Sequence, residues 1–186
     1  METKLRCAWC EKDDLYRNYH DNEWGKPVYD DATIFEFLIL ETFQAGLSWY
    51  TVLAKRENFR KAFDNFNLKK IANYSEDKMA ELAEDTGIIR NKLKIKATVT
   101  NAQAFIKVQE EFGSFSKYIW GFVDGKPIDN QPQTLKDVPA TSPISDALSK
   151  DLKKRGFKFV GSTVMYAHMQ ATGMVNDHIM ECFTRK

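Results

Sequence analysis

The sequence predicts an all-helical protein, and three observations carry that prediction. No stretch of useful length alternates apolar and polar residues as a half-buried strand would. Apolar residues instead recur at helical spacing, in segments opened by serine or asparagine and closed by glycine. Toward the C-terminal end, two such segments are joined by only six residues bounded by glycines, Gly156-Phe157-Lys158-Phe159-Val160-Gly161.

The elements follow in order. Ala32 to Ala45 carries Ile34, Phe35, Phe37, Leu38, Ile39 and Leu40. These cover most of a helix circumference, so the helix should be central and buried. Gly46 ends it, and Ser48 caps a second helix through Trp49 and Val52 to about Phe63. Ser75 opens a short helix with Met79 and Leu82, and Gly87 marks its exit. A longer helix from about Asn91 to Phe112 sets Ile95, Val99, Ala102 and Ile106 at helical spacing. Ser114 caps a short helix reaching about Phe122, and Asp124-Gly125-Lys126-Pro127 is a turn. Pro127 to Pro143, with four prolines, reads as an irregular connection between two lobes of one domain spanning residues 1–186. Ser145 starts a helix that ends at Gly156. After the six-residue link another runs from about Ser162 to Ala171, and a last short helix from near Asn176 holds His178 and Cys182.

Composition narrows the class. A chain of 186 residues with 43% hydrophobic and 28% charged residues is an ordinary globular domain. No apolar run is long enough to span a bilayer, and Met1 to Trp9 lacks the apolar core of a signal peptide, so the expected location is the cytoplasm. Cys7, Cys10 and Cys182 are too few, and odd in number, for a disulfide framework; free thiols can be metal ligands. The net charge of +1 offers no argument for nucleic acid. Two basic runs stand out: Arg90, Lys92, Lys94 and Lys96, then Lys150, Lys153, Lys154, Arg155 and Lys158, the second diluted by Asp146 and Asp151. Taken alone, both read as solvated helix faces.

Three groups of residues carry chemistry. His178 and Cys182 are four apart and would share one helix face. With Cys7 and His20 they make two thiolates and two imidazoles, a closed tetrahedral zinc set that would tie both ends of the sequence together. Cys10 offers an alternative thiol, and plain core packing would also account for His178 and Cys182. Next, seven of the eleven Trp and Tyr residues fall in the first fifty positions: Trp9, Tyr16, Tyr19, Trp24, Tyr29, Trp49 and Tyr50. Aromatic faces stack on flat bases and attract cations, although they also fill cores. Glu41 lies on the stripe Ile34, Leu38, Glu41, Ala45. If buried, it needs a partner in the protein or in a ligand; a glutamate at a helix end can also turn to solvent. Finally, the glycine-bounded link has the form of a helix–hairpin–helix. Its glycines allow a tight turn, and the amides opening the next helix can bind a phosphate, with Lys158 as an added point charge. Phe157, Phe159 and Val160 would anchor the link to the core.

These residues resemble the constitutive, type I bacterial 3-methyladenine DNA glycosylases over nearly the whole chain. The resemblance is carried by Arg6-Cys7-Ala8-Trp9, Tyr19-His20-Asp21-Asn22-Glu23-Trp24-Gly25, Gln44-Ala45-Gly46-Leu47-Ser48-Trp49, Gly87-Ile88-Ile89-Arg90, Lys154-Arg155-Gly156-Phe157-Lys158-Phe159-Val160-Gly161, and Val175-Asn176-Asp177-His178 with Cys182. It implies a helix–hairpin–helix DNA glycosylase fold with a structural zinc joining the N- and C-termini through Cys7, His20, His178 and Cys182. It implies that Glu41 and Tyr19 hydrogen-bond a methylated base, with Trp9, Tyr16, Trp24 and Trp49 around it. Gly46 and Leu47 would fill the gap left in the duplex, and Gly156, Lys158, Val160 and Gly161 would contact the backbone. The implied partner is double-stranded DNA containing alkylated bases, bound by a monomer away from any membrane. Cys10 is a departure from the family pattern.

Other helix–hairpin–helix glycosylases place a catalytic Asp in a Val-Asp-x-His context. Here Asn176 takes that place, and Asp177, one step along, would point elsewhere. By this resemblance no general base is named, and Glu41 and Tyr19 act by holding the base. Methylation at N3 makes the adenine ring cationic and weakens its bond to the sugar, so the leaving group needs no protonation. No motif places a lysine nucleophile, so no lyase step is expected. Two rivals stand beside this reading. One is a module that senses alkylated DNA without cutting it, as the missing Asp would suit. The other is a hydrolase whose metal activates water, which requires three protein ligands and an open position.

Overall fold

Side-chain caps fix where most helices begin in the computed structural model, which describes residues 4–185. Asp13, Asp30, Ser48, Asn67, Ser75, Asn91, Ser114 and Ser142 each accept a backbone N–H from the first turn of the helix that follows. The helices so opened are α1 (Asp14–Asn22), α2 (Asp31–Gln44), α3 (Trp49–Leu53), α5 (Leu68–Ala72), α6 (Glu76–Glu84), α7 (Lys92–Phe112), α8 (Phe115–Trp120) and α9 (Pro143–Lys154). Arg56–Ala62 forms α4 and Ser162–Ala171 forms α10. The fold is thus mostly helical, as expected.

Several boundaries differ from expectation for local reasons. The helix expected from Ser48 to Phe63 is two, because Lys55 N bonds Val52 O at 3.0 Å and this tighter turn interrupts the ladder between α3 and α4. Ser145 is not the start of α9. Ser142 caps it in a reciprocal pair with Ser145, and Pro143 takes the first turn, where its missing N–H is harmless. No helix forms around His178. Val175–Asn176 is instead a short strand, β2, that pairs in parallel with β1 (Ile128–Asp129), in register Ile128 to Val175. The proline-rich connection therefore contains β1 and a single 3-10 turn at Leu135–Asp137. Helices α1 and α5 were not expected: α5 is five residues long, and the buried side of α1 is tyrosine and histidine, not aliphatic residues.

α2 is the centre of the packing. Nine of its fourteen residues are buried, Glu41 among them, and α3, α7, α8 and α10 lie against it. Asp31, in its first turn, also accepts N–H bonds from Phe115 and Ser116 at 2.9 and 2.8 Å, which fixes the start of α8 against it. The main apolar cluster runs from Ile34 through Phe105, Leu152 and Met169 to Val175. A smaller cluster of Cys7, Tyr19, Trp24, Phe37, Leu53, Ala171 and Cys182 joins the two ends of the described chain. Among the described residues, no helix is long and apolar enough to cross a membrane.

Candidate active site and metal centre

Where the smaller cluster meets α2 and α10, a cavity of about 280 Å³ opens between Trp9, Tyr16, Tyr19, Trp24, Trp49 and Glu41. All six residues expected around a base line it. Trp9 sits edge-on to Tyr16 and to Trp24, with ring centroids 4.8 and 5.0 Å away, and Tyr19 lies 5.4 Å from Trp49. Gln44, Leu135, Val138, Ala167 and Gln170 complete the wall and were not singled out in the sequence. Gln44 had a signal, being one turn after Glu41 on the same helix face. The others arrive from the proline-rich connection and from α10. Tyr29 and Tyr50, part of the same aromatic skew, lie outside the lining. Tyr29 packs on Trp120, and the Tyr50 hydroxyl donates to Asp13.

Glu41 is 2% exposed, and its Oε2 has no hydrogen-bond partner among the described residues. Burial alone pushes the carboxyl up to about 8. Trp49 Nε1 is likewise buried without a partner. Glu41 and Trp49 thus both line the cavity, and each carries a buried polar atom without a partner among the described residues. A buried polar atom left without a hydrogen bond costs roughly 1–3 kcal/mol.

Two residues of the Val175–His178 segment are held by hydrogen bonds away from the cavity lining. Asn176 lies in β2, and its Oδ1 accepts the His178 N–H at 3.2 Å, so it turns to backbone and is not part of the lining. Asp177, fully buried, accepts from Asn130 at 2.7 Å, the Tyr166 hydroxyl at 2.7 Å and Gln170 Nε2 at 2.8 Å. Its oxygens are engaged in holding other side chains, Gln170 of the cavity wall included.

Behind Trp24 lies the second centre. Cys7, His20, His178 and Cys182 are all buried, with their ligand atoms within 4.8 Å of one another. Cys182 Sγ is 3.5 Å from His20 Nε2 and 3.6 Å from His178 Nδ1, and Cys7 Sγ is 3.8 Å from His178 Nδ1. Tetrahedral zinc with bonds of 2.0–2.3 Å sets its donor atoms about 3.3–3.8 Å apart, so the set fits a metal. The outer partners fit too. His20 Nδ1 meets Asp21 at 2.8 Å, and Asp21 is gripped by Arg6; His178 Nε2 meets the Trp24 carbonyl at 3.0 Å. Each ring thereby turns its other nitrogen to the centre. A turn, with Cys182 N bonded to Ile179 O, brings His178 and Cys182 together in place of the expected helix. Cys10 is outside the set, its thiol donating to the Cys7 carbonyl at 3.1 Å.

The two loops expected to touch DNA each present exposed residues: Gly46 and Leu47 in the first, Lys158 and Phe159 in the second. Gly46 adopts a left-handed backbone, φ +81°, at the end of α2, and Leu47 beside it is 43% exposed. In the hairpin, Gly156 is left-handed at φ +94°, whereas Gly161 has an ordinary φ of −61° with open space where a Cβ would be. Lys158 is exposed. Val160 is buried and its carbonyl accepts Ser149 Oγ at 2.7 Å, so its side chain serves the core, as does that of Phe157. Phe159 was expected in the core as well, but its left-handed φ of +56° turns the ring outward to 38% exposure. Arg155, of the second basic run, is occupied by Glu111 and Asp151.

The chain is similar to known proteins over nearly its whole length. The profile of the methyladenine glycosylase family matches residues 9–185. DNA-3-methyladenine glycosylase 1 of Escherichia coli K12 is 49% identical over 177 residues, 95% of each chain. A crystal structure of 3-methyladenine DNA glycosylase I superposes with a TM-score of 0.93 at 50% identity, covering 96% of this chain and 98% of that one. A Staphylococcus aureus 3-methyladenine DNA glycosylase I, solved to explain 3-methyladenine recognition, gives 0.94 at 38% identity, covering 97% and 96%.

Proposed function

The chain belongs to the methyladenine glycosylase family, and from that premise we propose that it excises 3-methyladenine from alkylated double-stranded DNA by hydrolysing the N-glycosidic bond. The observation that carries the reading is the orphan Glu41 carboxyl in an aromatic cavity of about 280 Å³. A base must leave the stack to reach such a cavity, and a damaged base leaves most easily.

Each part of the site has a task on this reading. Trp9, Tyr16, Trp24 and Trp49 sandwich the extruded ring and favour a cationic one. Glu41 and Tyr19 hydrogen-bond its edge, and an ionised Glu41 meets the positive charge that N3 methylation places on the base. The departing base needs no proton, so catalysis is extrusion, orientation and exclusion of bulk water. The occupied Asn176 and Asp177 suit that economy, and the absence of an exposed lysine from the cavity lining suits a monofunctional enzyme. Leu47 fills the vacated space in the duplex. The exposed Lys158 and the uncapped N-terminus of α10 at Gly161 take a backbone phosphate. Cys7, His20, His178 and Cys182 hold a structural zinc, whose closed ligand set leaves no position for water. It would knit the two ends of the chain behind the pocket. One molecule acts on one lesion as a monomer.

Incubation with methylated DNA tests the proposal. Free 3-methyladenine should appear, with the DNA strands left uncut. Tight binding of that DNA with no base released would leave a damage-sensing module instead.

A further inference from the structure

Lys94 departs from the basic run it belongs to. Arg90, Lys92 and Lys96 are exposed, whereas Lys94 is 6% exposed. It sits in the first turn of α7, where the helix dipole disfavours a cation, and a buried ammonium needs strong partners. Those partners are at the far end of α2. Lys94 Nζ donates to the Phe43 carbonyl at 2.8 Å and to the Ala45 carbonyl at 2.6 Å. These are carbonyls left unpaired where a helix stops, and their negative end attracts a cation. The next two residues are Gly46 and Leu47.

Seven residues along, on the same face of α7, Asn101 is fully buried. Its Oδ1 accepts the Lys158 N–H at 2.7 Å and its Nδ2 donates to the Lys158 carbonyl at 3.1 Å. One side chain thus grips both backbone groups at the tip of the hairpin. Phe159 bridges the two anchor points, with its ring centroid 5.9 Å from Lys94 Nζ.

We propose that Lys94 and Asn101 are positioning residues: α7 acts as a brace that sets the Gly46-Leu47 turn and the Gly156–Gly161 hairpin at a fixed separation. The inference rests on the reading that the turn fills the duplex and the hairpin holds a phosphate. Given that reading, the two must engage one duplex at once, and their spacing decides whether Leu47 enters when the phosphate is held. Neither brace residue lines the cavity. Loosening the brace therefore leaves base binding intact and impairs extrusion.

The test compares Lys94→Met, Asn101→Leu, Leu47→Ala and the Leu47→Ala/Lys94→Met double variant. Three quantities are read: affinity for free 3-methyladenine, affinity for undamaged duplex, and the single-turnover rate on saturating methylated duplex. A misplacement of about 1 Å can slow a reaction about 100-fold, so a tenfold or greater fall is the expected scale. Lys94→Met should bind the free base within about twofold of wild type while its rate on duplex falls about tenfold or more. Leu47→Ala should slow likewise, and the double variant no further than the slower single, because both act on one step. Asn101→Leu should weaken binding to undamaged duplex and spare the free base. If Leu47→Ala is slow while Lys94→Met runs at full rate, the brace is overturned. The same holds if free-base affinity falls in step with excision, or if the double variant is additive. Full-rate excision by Leu47→Ala would overturn the wedge reading itself, and the brace with it. Should Lys94→Met fail to fold, Lys94→Gln is read by the same criteria.

Discussion

Replacing Glu41 with glutamine should stabilise the empty protein relative to wild type as pH rises. In the folded chain burial pushes this carboxyl up to about 8, whereas an unfolded chain leaves it near the ordinary value of about 4.3. Between those values the folded state keeps a proton that the unfolded state has released. The contribution to stability is therefore complete below the unfolded value and lost progressively as pH rises through the folded one. At 1.36 kcal/mol per unit, moving from pH 5 to pH 7 removes about 2.5 kcal/mol from wild type. Glutamine does not titrate. Whatever its buried amide loses by lacking a partner, roughly 1–3 kcal/mol, is equal at both pH values and cancels in the difference. Urea unfolding of both proteins at pH 5 and pH 7, at matched zinc content, isolates the term, because the histidine contributions also cancel. The gap between variant and wild type should move by about 2.5 kcal/mol in favour of Glu41→Gln. An unchanged gap would mean that Glu41 ionises normally, and the orphan-carboxyl argument would fail.

Other perturbations separate the remaining parts. Gly25→Ala should lower zinc content and melting temperature together, because Gly25 has φ +77° and an added Cβ would lie 2.9 Å from His178 Nε2; normal metal content by elemental analysis would contradict the centre's geometry. Cys182→Ser should lose the metal while Cys10→Ser keeps it, since Cys10 donates to a backbone carbonyl outside the set. Lys158→Ala should weaken binding to all duplexes alike and reduce the slope of log affinity against log salt by about 1; a loss confined to methylated DNA would place Lys158 in base selection. Affinity for a cationic lesion should rise with pH up to about 8, because below that value Glu41 must first release its proton, and Glu41→Gln should flatten the profile.

What was legible followed from how local the signal is. α2 could be read directly, because apolar residues on every side of a fourteen-residue stretch leave burial as the only outcome. Ser48, Ser75 and Ser114 marked helix starts, since capping is settled within four residues. The aromatic skew indicated a pocket but included Tyr29 and Tyr50, whose neighbours are set by tertiary packing. Leu135, Val138 and Gln170 reach the cavity only after the proline-rich connection and α10 have docked. The β1–β2 pair rests on two residues a side, too few for any periodicity. It replaced a helix that the His178–Cys182 spacing had suggested, although a turn satisfies that spacing equally well. Lys94 was indistinguishable from its neighbours, because position on α7, not residue type, decides which lysine of the run is buried.

The pocket's economy follows from the same buried carboxyl. With the site empty, desolvation keeps Glu41 protonated well above the usual carboxylate range, and Oε2 has no partner. A neutral base cannot reverse that. It brings stacking and hydrogen bonds but no charge to offset the ionised form. A base made cationic by N3 methylation can, because an opposite charge within about 4–6 Å shifts a carboxyl by roughly 1–3 units. On the proposed reading, lesion and residue thus ionise each other's surroundings, and discrimination arises before any bond breaks. The lesion's charge also weakens its own glycosidic bond, so the property that is recognised is the property that makes cleavage easy. A general base at the position of Asn176 then adds little to selection, and the chain can give that residue to a backbone contact with His178.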